Sequence, residues 1–175
     1  MKTIANASHT DTSRSTWITA LCATAGRAIP SGLVAGLFAA GTAAARSVSE
    51  GGTALAPLNA VTHCLWPRRA FRQRGFSVRH TITGFAIHEA SAIFWAMLFE
   101  ALINRMPNAR QCQQPGTTAT AAAATAATAY VVDYRVVPRR LTPGFEAYLS
   151  GRSLAAVYVA LGAGLFAVAM LRRPS

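Results

Sequence analysis

The stretch from Ile82 to Ile103 constrains the fold more than any other part of the sequence. Its twenty-two residues are mostly apolar and, as a helix, are long enough to cross the hydrocarbon core of a bilayer. Nine of them are Ile, Leu or Phe, each favouring insertion by roughly 0.3–0.6 kcal/mol, whereas a central carboxylate costs about 2.5–3.5 kcal/mol. The stretch nevertheless contains His88, Glu89 and Glu100. It predicts a membrane-spanning helix with a polar interior face.

The two carboxylates of this helix are predicted to share that face. Glu89 and Glu100 are eleven residues apart, which is three helical turns plus about 20°. Ala92 and Ala96 lie between them on the same side. This face is expected to turn away from lipid and towards other helices.

The composition supports a membrane protein. The chain has 175 residues, enough for one domain, and 52% of them are hydrophobic. The chain contains seventeen basic and six acidic residues, and the arginines lie between apolar segments instead of forming one polar domain. This pattern predicts contacts with anionic headgroups and not with nucleic acid. The arginines expected to make these contacts are Arg68, Arg69, Arg72 and Arg74.

The apolar segments predict an all-α polytopic membrane protein, a bundle of four transmembrane helices. The spans are expected at about 28–45, 82–103, 117–137 and 153–171, within a single membrane domain of residues 28–173. Residues 1–27 are predicted to form a disordered polar leader, with a signal or transit peptide as the alternative. More Lys and Arg lie in the first and third connections than elsewhere, which favours an orientation with both termini outward.

The first span carries a stripe of small residues. Gly32, Gly36, Ala40 and Ala44 recur every four residues, so a second backbone can approach this side closely. Contact between two copies of the chain through Gly32 and Gly36 is one expectation from this stripe. Pro30 suits the first turn of the helix.

Both connections with many arginines are predicted to contain short helices. Thr53 to Trp66 is largely apolar but too short to span, which is typical of an interfacial or re-entrant helix. If it is helical, Asn59 and His63 face the same way. In the third connection, Thr142 is a predicted N-cap and Pro143 the first residue of a short helix that runs to about Leu149.

Ionisable and polar residues at or near membrane depth are the candidate site residues. A helix-register role and a proton or cation role both remain open for them. The set is Glu50, Asn59, His63, His88, Glu89, Glu100, Asp133 and Glu146.

A metal site is a further alternative, with His63, His88 and Glu89 as ligands. His88-Glu89 begins like the HExxH motif of metalloproteases, but residue 92 is Ala, so that motif is absent. Cys22, Cys64 and Cys112 form no CxxC pair. No cofactor is predicted, and haem or a divalent metal is the alternative. A structural or partner-binding membrane role is favoured over proton or cation transport through Glu89, Glu100 and His88, and enzymatic activity is not expected.

Three segments of the sequence carry a resemblance that implies a cellular location. The segments Pro57-Leu58-Asn59-Ala60 with His63 and Trp66, Thr83-Gly84 with His88 and Phe94-Trp95-Ala96, and Val137-Pro138-Arg139-Arg140-Leu141-Thr142-Pro143-Gly144-Phe145-Glu146 are similar to a group of small uncharacterised bacterial inner-membrane proteins. The resemblance covers roughly residues 30–171 and implies a bacterial cytoplasmic membrane, without a known activity. Such sequences often have a second histidine where this chain has Glu89.

Overall fold

A computed structural model describes residues 8–105 and 114–172, and every regular element in this part of the chain is helical. Cys112 lies outside the described residues. The expectation of an all-α fold is confirmed. The described residues form five α-helices, which are α1 (Ser8–Ser49), α2 (Ala56–Val61), α3 (Thr83–Arg105), α4 (Pro115–Val131) and α5 (Gly151–Leu171).

Three described segments are long and apolar enough to cross a membrane. They are Cys22–Ser49 and Val78–Arg105, each of 28 residues, and Gly151–Leu171, of 21 residues. Helix α4 has 17 residues, about 26 Å at 1.5 Å per residue, and a π-helical turn at Val132–Val136 extends it. Three of the four predicted spans therefore have the length and composition of transmembrane helices.

The four long helices form a bundle. Helix α1 packs against α3 and α5, and α4 packs against α5 and, less extensively, against α3. The Ala/Thr-rich α4 thus lies at the side of the bundle, where its small residues Ala122 and Ala126 allow close approach of Gly162 on α5.

Helix α1 extends beyond the predicted first span at its N-terminal end. It begins at Ser8, so the described part of the predicted leader, residues 8–27, is helical in this structure. Pro30 lies inside the helix and not in its first turn. The segment before Pro30 contains a single glycine, Gly26, and no other residue there strongly opposes a helix.

The stripe of small residues on α1 packs against α3 of the same chain. A Cβ added to Gly32 would lie 2.7 Å from the backbone nitrogen of Ile93, and one added to Gly36 would lie 2.5 Å from a carboxylate oxygen of Glu89. Both glycines are buried against α3. In this structure the predicted close approach at Gly32 and Gly36 is made by α3 of the same chain.

The connections at residues 50–82 and 132–150 pack together over one end of the bundle, and we call this unit the cap. His63 Nε2 lies 3.1 Å from the carbonyl oxygen of Arg139, and the Tyr148 hydroxyl donates to the carbonyl of Phe71. Helix α2 occupies the predicted interfacial segment, but all six of its residues are buried. Helix α2 is a buried part of the cap, because α1 and α3 cover it.

The predicted helix from Thr142 to Leu149 is replaced by a 3-10 turn at Phe145–Ala147. Gly144 precedes this turn with φ +80°, a conformation that favours glycine, and Thr142 makes no capping bond to the backbone. A Cβ at position 144 would lie 2.9 Å from the carbonyl oxygen of Ala60. Contact with α2 therefore selects a tight turn where local rules favour a helix.

Candidate functional site

Glu89 is the central residue of the candidate site. It lies on α3, 5% exposed, with its carboxylate directly over Gly36 of α1. Both carboxylate oxygens are buried, and no group in the described parts of the chain forms a hydrogen bond with either. Glycine at position 36 leaves the space that the carboxylate fills, because any side chain there would overlap it.

His88 is held over the same glycine. Its Nε2 lies 3.0 Å from the carbonyl oxygen of Gly36. A carbonyl oxygen only accepts, so Nε2 carries the proton, and in the neutral ring Nδ1 is then the remaining acceptor. The ring also packs on Phe145 of the cap, with 5.7 Å between ring centroids. His88 therefore joins α1, α3 and the cap beside Glu89.

Glu100 shares the buried face of α3, as predicted, but it has partners that Glu89 lacks. Ser31 donates a hydrogen bond of 2.7 Å to its Oε1, and Arg172 donates to the same oxygen. Arg27 Nε lies 3.9 Å from Oε2. These partners come from the middle of α1 and the end of α5, so Glu100 closes the end of the bundle opposite the cap with a charge-neutralising cluster.

Asp133 lies in the π-helical turn after α4. Its Oδ2 accepts a hydrogen bond of 2.7 Å from the Tyr158 hydroxyl on α5. Arg135, the neighbouring cation in the sequence, forms no ion pair with it, and within residues 8–105 and 114–172 no salt bridge to Asp133 is found. The partner of Asp133 in the described residues is therefore a tyrosine hydroxyl and not a cation.

Asn59 and His63 organise the cap. The amide of Asn59 donates to the carbonyls of Gln73 and Gly75, and its oxygen accepts from Thr81. His63 places Nδ1 2.9 Å from the carbonyl of Ala60 and Nε2 beside that of Arg139. Both residues are buried but have separate partners. They hold cap backbone in place.

Glu50 and Glu146 lie at the surface of the cap. Glu50 accepts from the backbone and hydroxyl of Ser150 and from Ser153, at the start of α5. The hydrogen bonds from Ser153 and Ser150 lower the pKa of Glu50 to about 2. Glu146 accepts from Thr142 at 2.7 Å and is exposed. Glu50 is thus a stabilising cap of α5, and Glu146 is a surface carboxylate.

The described residues contain no cluster of three or more His, Cys, Asp or Glu side chains that could hold a metal ion. His63 directs both ring nitrogens at backbone carbonyls, and His88 uses Nε2 in the same way. The metal prediction for His63, His88 and Glu89 therefore gains no support from the geometry.

Several residues of the site were missed by sequence reasoning. Gly36 was noted only for packing, and Tyr158, Ser31 and Arg172 were not among the candidate site residues. No local signal identifies them, because each meets its carboxylate across a helix–helix contact between segments far apart in the sequence.

The fold and the site together describe a helical bundle with three candidate membrane spans and buried carboxylates between the helices. Comparisons with known proteins do not refine this description: the chain matches no protein-family model, and no curated protein or solved structure matches it significantly.

Proposed function

We propose that the chain is an integral membrane protein that binds a proton or a small cation at Glu89 and passes it across the membrane. One observation carries the proposal: both oxygens of the Glu89 carboxylate are buried without a hydrogen-bond partner among the described residues. A structural carboxylate at the same interface is expected to have partners like those of Glu100.

The depth of Glu89 supports this proposal. The residue lies eleven positions after Val78 and sixteen before Arg105, the ends of the apolar segment. At 1.5 Å per residue these separations are about 17 Å and about 24 Å, which puts Glu89 well inside a hydrocarbon core of about 30 Å. An uncompensated charge there is costly, so a carboxylate without a partner is expected to take up a proton or a cation.

His88 and Glu100 extend the proposal along α3. His88 lies next to Glu89 and faces the cap, while Glu100 lies towards the opposite end, about 17 Å from Glu89 along the axis. Ionisable groups at two levels of one helix, with His88 and Glu89 at one level and Glu100 at the other, are suited to taking up and releasing protons on the two sides.

The membrane setting is part of the same proposal. We infer a fourth span formed by α4 and its π-helical turn, a bacterial cytoplasmic membrane, and a cap on the cytoplasmic side. Arg68, Arg69, Arg72 and Arg74 of the cap are all exposed, and the rings of Phe71 and Phe76 are 38% and 65% exposed. Exposed arginines beside exposed aromatic rings are suited to anionic headgroups at the end of a bundle.

The test is proton flux in liposomes. Purified protein is reconstituted with an internal pH-sensitive dye, and a potassium diffusion potential, negative inside, drives uptake. The wild type is expected to acidify the interior faster than protein-free liposomes do, and Glu89→Gln, which keeps the shape of the side chain, is expected to remove the difference. Repeating the assay with imposed sodium or potassium gradients separates protons from cations.

Glu146→Gln is the matched control, because it removes one carboxylate from the surface of the cap and should leave the flux unchanged. Equal flux for Glu89→Gln and the wild type, or wild-type flux at the level of protein-free liposomes under every gradient, would refute the proposal. A structural or partner-binding role would then be the better account of the bundle.

A further inference from the structure

A cavity of about 250 Å³ lies between the long helices, directly beneath the cap. Its walls are mostly apolar and come from α1, α2, α3, α5 and the 141–145 turn. It is larger than the cavity of about 150 Å³ in a protein core that accepts benzene. The space is therefore sufficient for a ligand with one aromatic ring and a short substituent.

Among the described residues, the cavity lining contains an acidic side chain but no lysine or arginine. Asp133 is its only acidic lining residue, and no Lys or Arg from the described chain lines it. The Tyr158 hydroxyl is bonded to one carboxylate oxygen, Oδ2, and no described cation is paired with Asp133. The site therefore offers an anionic acceptor with unused capacity.

Aromatic rings complete the lining. Trp95 and Tyr158 are 6% and 8% exposed, and Phe145 of the cap is 2% exposed. Rings of this kind attract organic cations through their π faces and contact apolar groups equally well. His88 also lines the cavity, and with Nε2 bonded to Gly36 its Nδ1 is the remaining acceptor of the neutral ring.

Access is from the side of the bundle. Two lining residues, Ser91 on α3 and Leu141 in the cap, are exposed, so the cavity reaches the surface beside them. Ser91 lies near the middle of the apolar segment Val78–Arg105, two residues beyond Glu89, so a small amphiphilic molecule is able to enter from the lipid beside it.

We propose that this cavity binds a small organic cation, a monoaromatic or similarly sized amine, with the ammonium group on the carboxylate of Asp133 and the apolar part against Trp95 and Phe145. An anion lacks a positive partner among the described lining residues, and a neutral ligand leaves the carboxylate unpaired. A charge-assisted hydrogen bond in an apolar site gives the amine its advantage.

The experiment is binding of benzylamine to the detergent-purified protein at neutral pH, followed by ligand-observed NMR, with benzyl alcohol as the neutral ligand of matched size. Benzylamine is expected to bind saturably and at least about tenfold more tightly than benzyl alcohol, because only the amine forms the charge-assisted bond. Benzoate is expected not to bind. Equal affinity for the amine and the alcohol, or no saturable binding of the amine, would overturn the proposal.

The benzylamine affinity of single-residue variants tests which residues form the binding site. Asp133→Asn is expected to lower benzylamine affinity about tenfold or more, and Glu146→Gln, a control that removes a cap carboxylate outside the cavity, should not change it. Ser91→Phe blocks the exposed mouth without altering a buried position, so it should abolish binding even if Asp133→Asn fails to fold. Retained affinity in both Asp133→Asn and Ser91→Phe would overturn the assignment. Glu89→Gln should bind benzylamine normally, and this separates the cavity from the flux proposal.

Discussion

The contact between α1 and α3 at Gly32 allows a test of the fold that does not depend on function. We compare Gly32→Ala with Gly41→Ala, a change of the same kind in the same helix. A Cβ at position 32 would lie 2.7 Å from the nitrogen of Ile93, whereas a Cβ at position 41 meets nothing within 4 Å. The two variants therefore differ in packing and not in chemistry.

The expected magnitudes follow from this difference. Replacing glycine by alanine inside a helix favours the helix by about 0.8–1.0 kcal/mol in both variants. Overpacking costs about 1–3 kcal/mol, and the upper part of this range is expected at position 32 because the neighbour is backbone and cannot rotate away. The free energy of unfolding should thus be about 2–3 kcal/mol lower for Gly32→Ala than for Gly41→Ala.

The measurement is reversible unfolding in mixed micelles with increasing SDS, followed by far-UV circular dichroism. Gly41→Ala should be as stable as the wild type or more stable, and Gly32→Ala should be less stable. If Gly32→Ala is as stable as Gly41→Ala, α1 and α3 do not meet at this glycine. Glu89 would then not lie over Gly36, and the basis of the proposed function would be lost.

Three further predictions concern the cap. The folded-state pKa of Glu50 is about 2, below its ordinary value of 4.5, so the stability that its ionised form contributes is present above pH 4.5 and lost as the pH falls towards 2. The thermal midpoint of Glu50→Gln should therefore vary less with pH over this interval than that of the wild type. Equal pH dependence would contradict the capping role. Gly144→Ala would place a Cβ at a positive φ and 2.9 Å from the carbonyl oxygen of Ala60, and it should destabilise the protein by about 2–3 kcal/mol in the same unfolding assay. Gly51→Ala is the control, because Gly51 has a similar φ of +82° but nothing within 4 Å of the added Cβ, and it should cost only about 1–2 kcal/mol. Asn59→Ala removes the side-chain donor of the Gln73 carbonyl and the shorter of the two hydrogen bonds to the Gly75 carbonyl, so it should speed tryptic cleavage after Arg72 and Arg74. Gln73→Ala removes only the long surface hydrogen bond to Gly75 and should be cleaved at the wild-type rate. Equal rates for the two variants would show that Asn59 does not hold this segment.

The contrast between Glu89 and Glu100 has a consequence for how variants of this protein should be interpreted. Glu100 is paired with Arg172 and hydrogen-bonded to Ser31, so Glu100→Gln removes half of an ion pair and should affect stability first. Glu89 has no hydrogen-bond partner among the described residues, so Glu89→Gln removes an ionisable group without breaking a hydrogen bond. Loss of flux in Glu89→Gln with unchanged unfolding would therefore report on transport and not on folding.

Local rules predicted elements well where the chain is a helix surrounded by apolar neighbours. The predicted span at 82–103 corresponds to α3 at Thr83–Arg105, and that at 153–171 to α5 at Gly151–Leu171. They were less successful in the cap, where the helix predicted from Thr142 to Leu149 is a 3-10 turn. The backbone there is fixed by contact with Ala60 on α2, and no window of nearby residues contains this contact.

The sequence by itself determined that lipid is a suitable solvent for the long helices, that Glu89 and Glu100 share a face, and that small residues line one side of α1, because periodicity and composition are local properties. Only the tertiary structure decided which carboxylate has partners. Arg172 meets Glu100 across 72 residues of sequence, while the residue opposite Glu89 is Gly36, which has no side chain to offer. The chemical difference between two glutamates on one helix thus comes from what the neighbouring helices place against them.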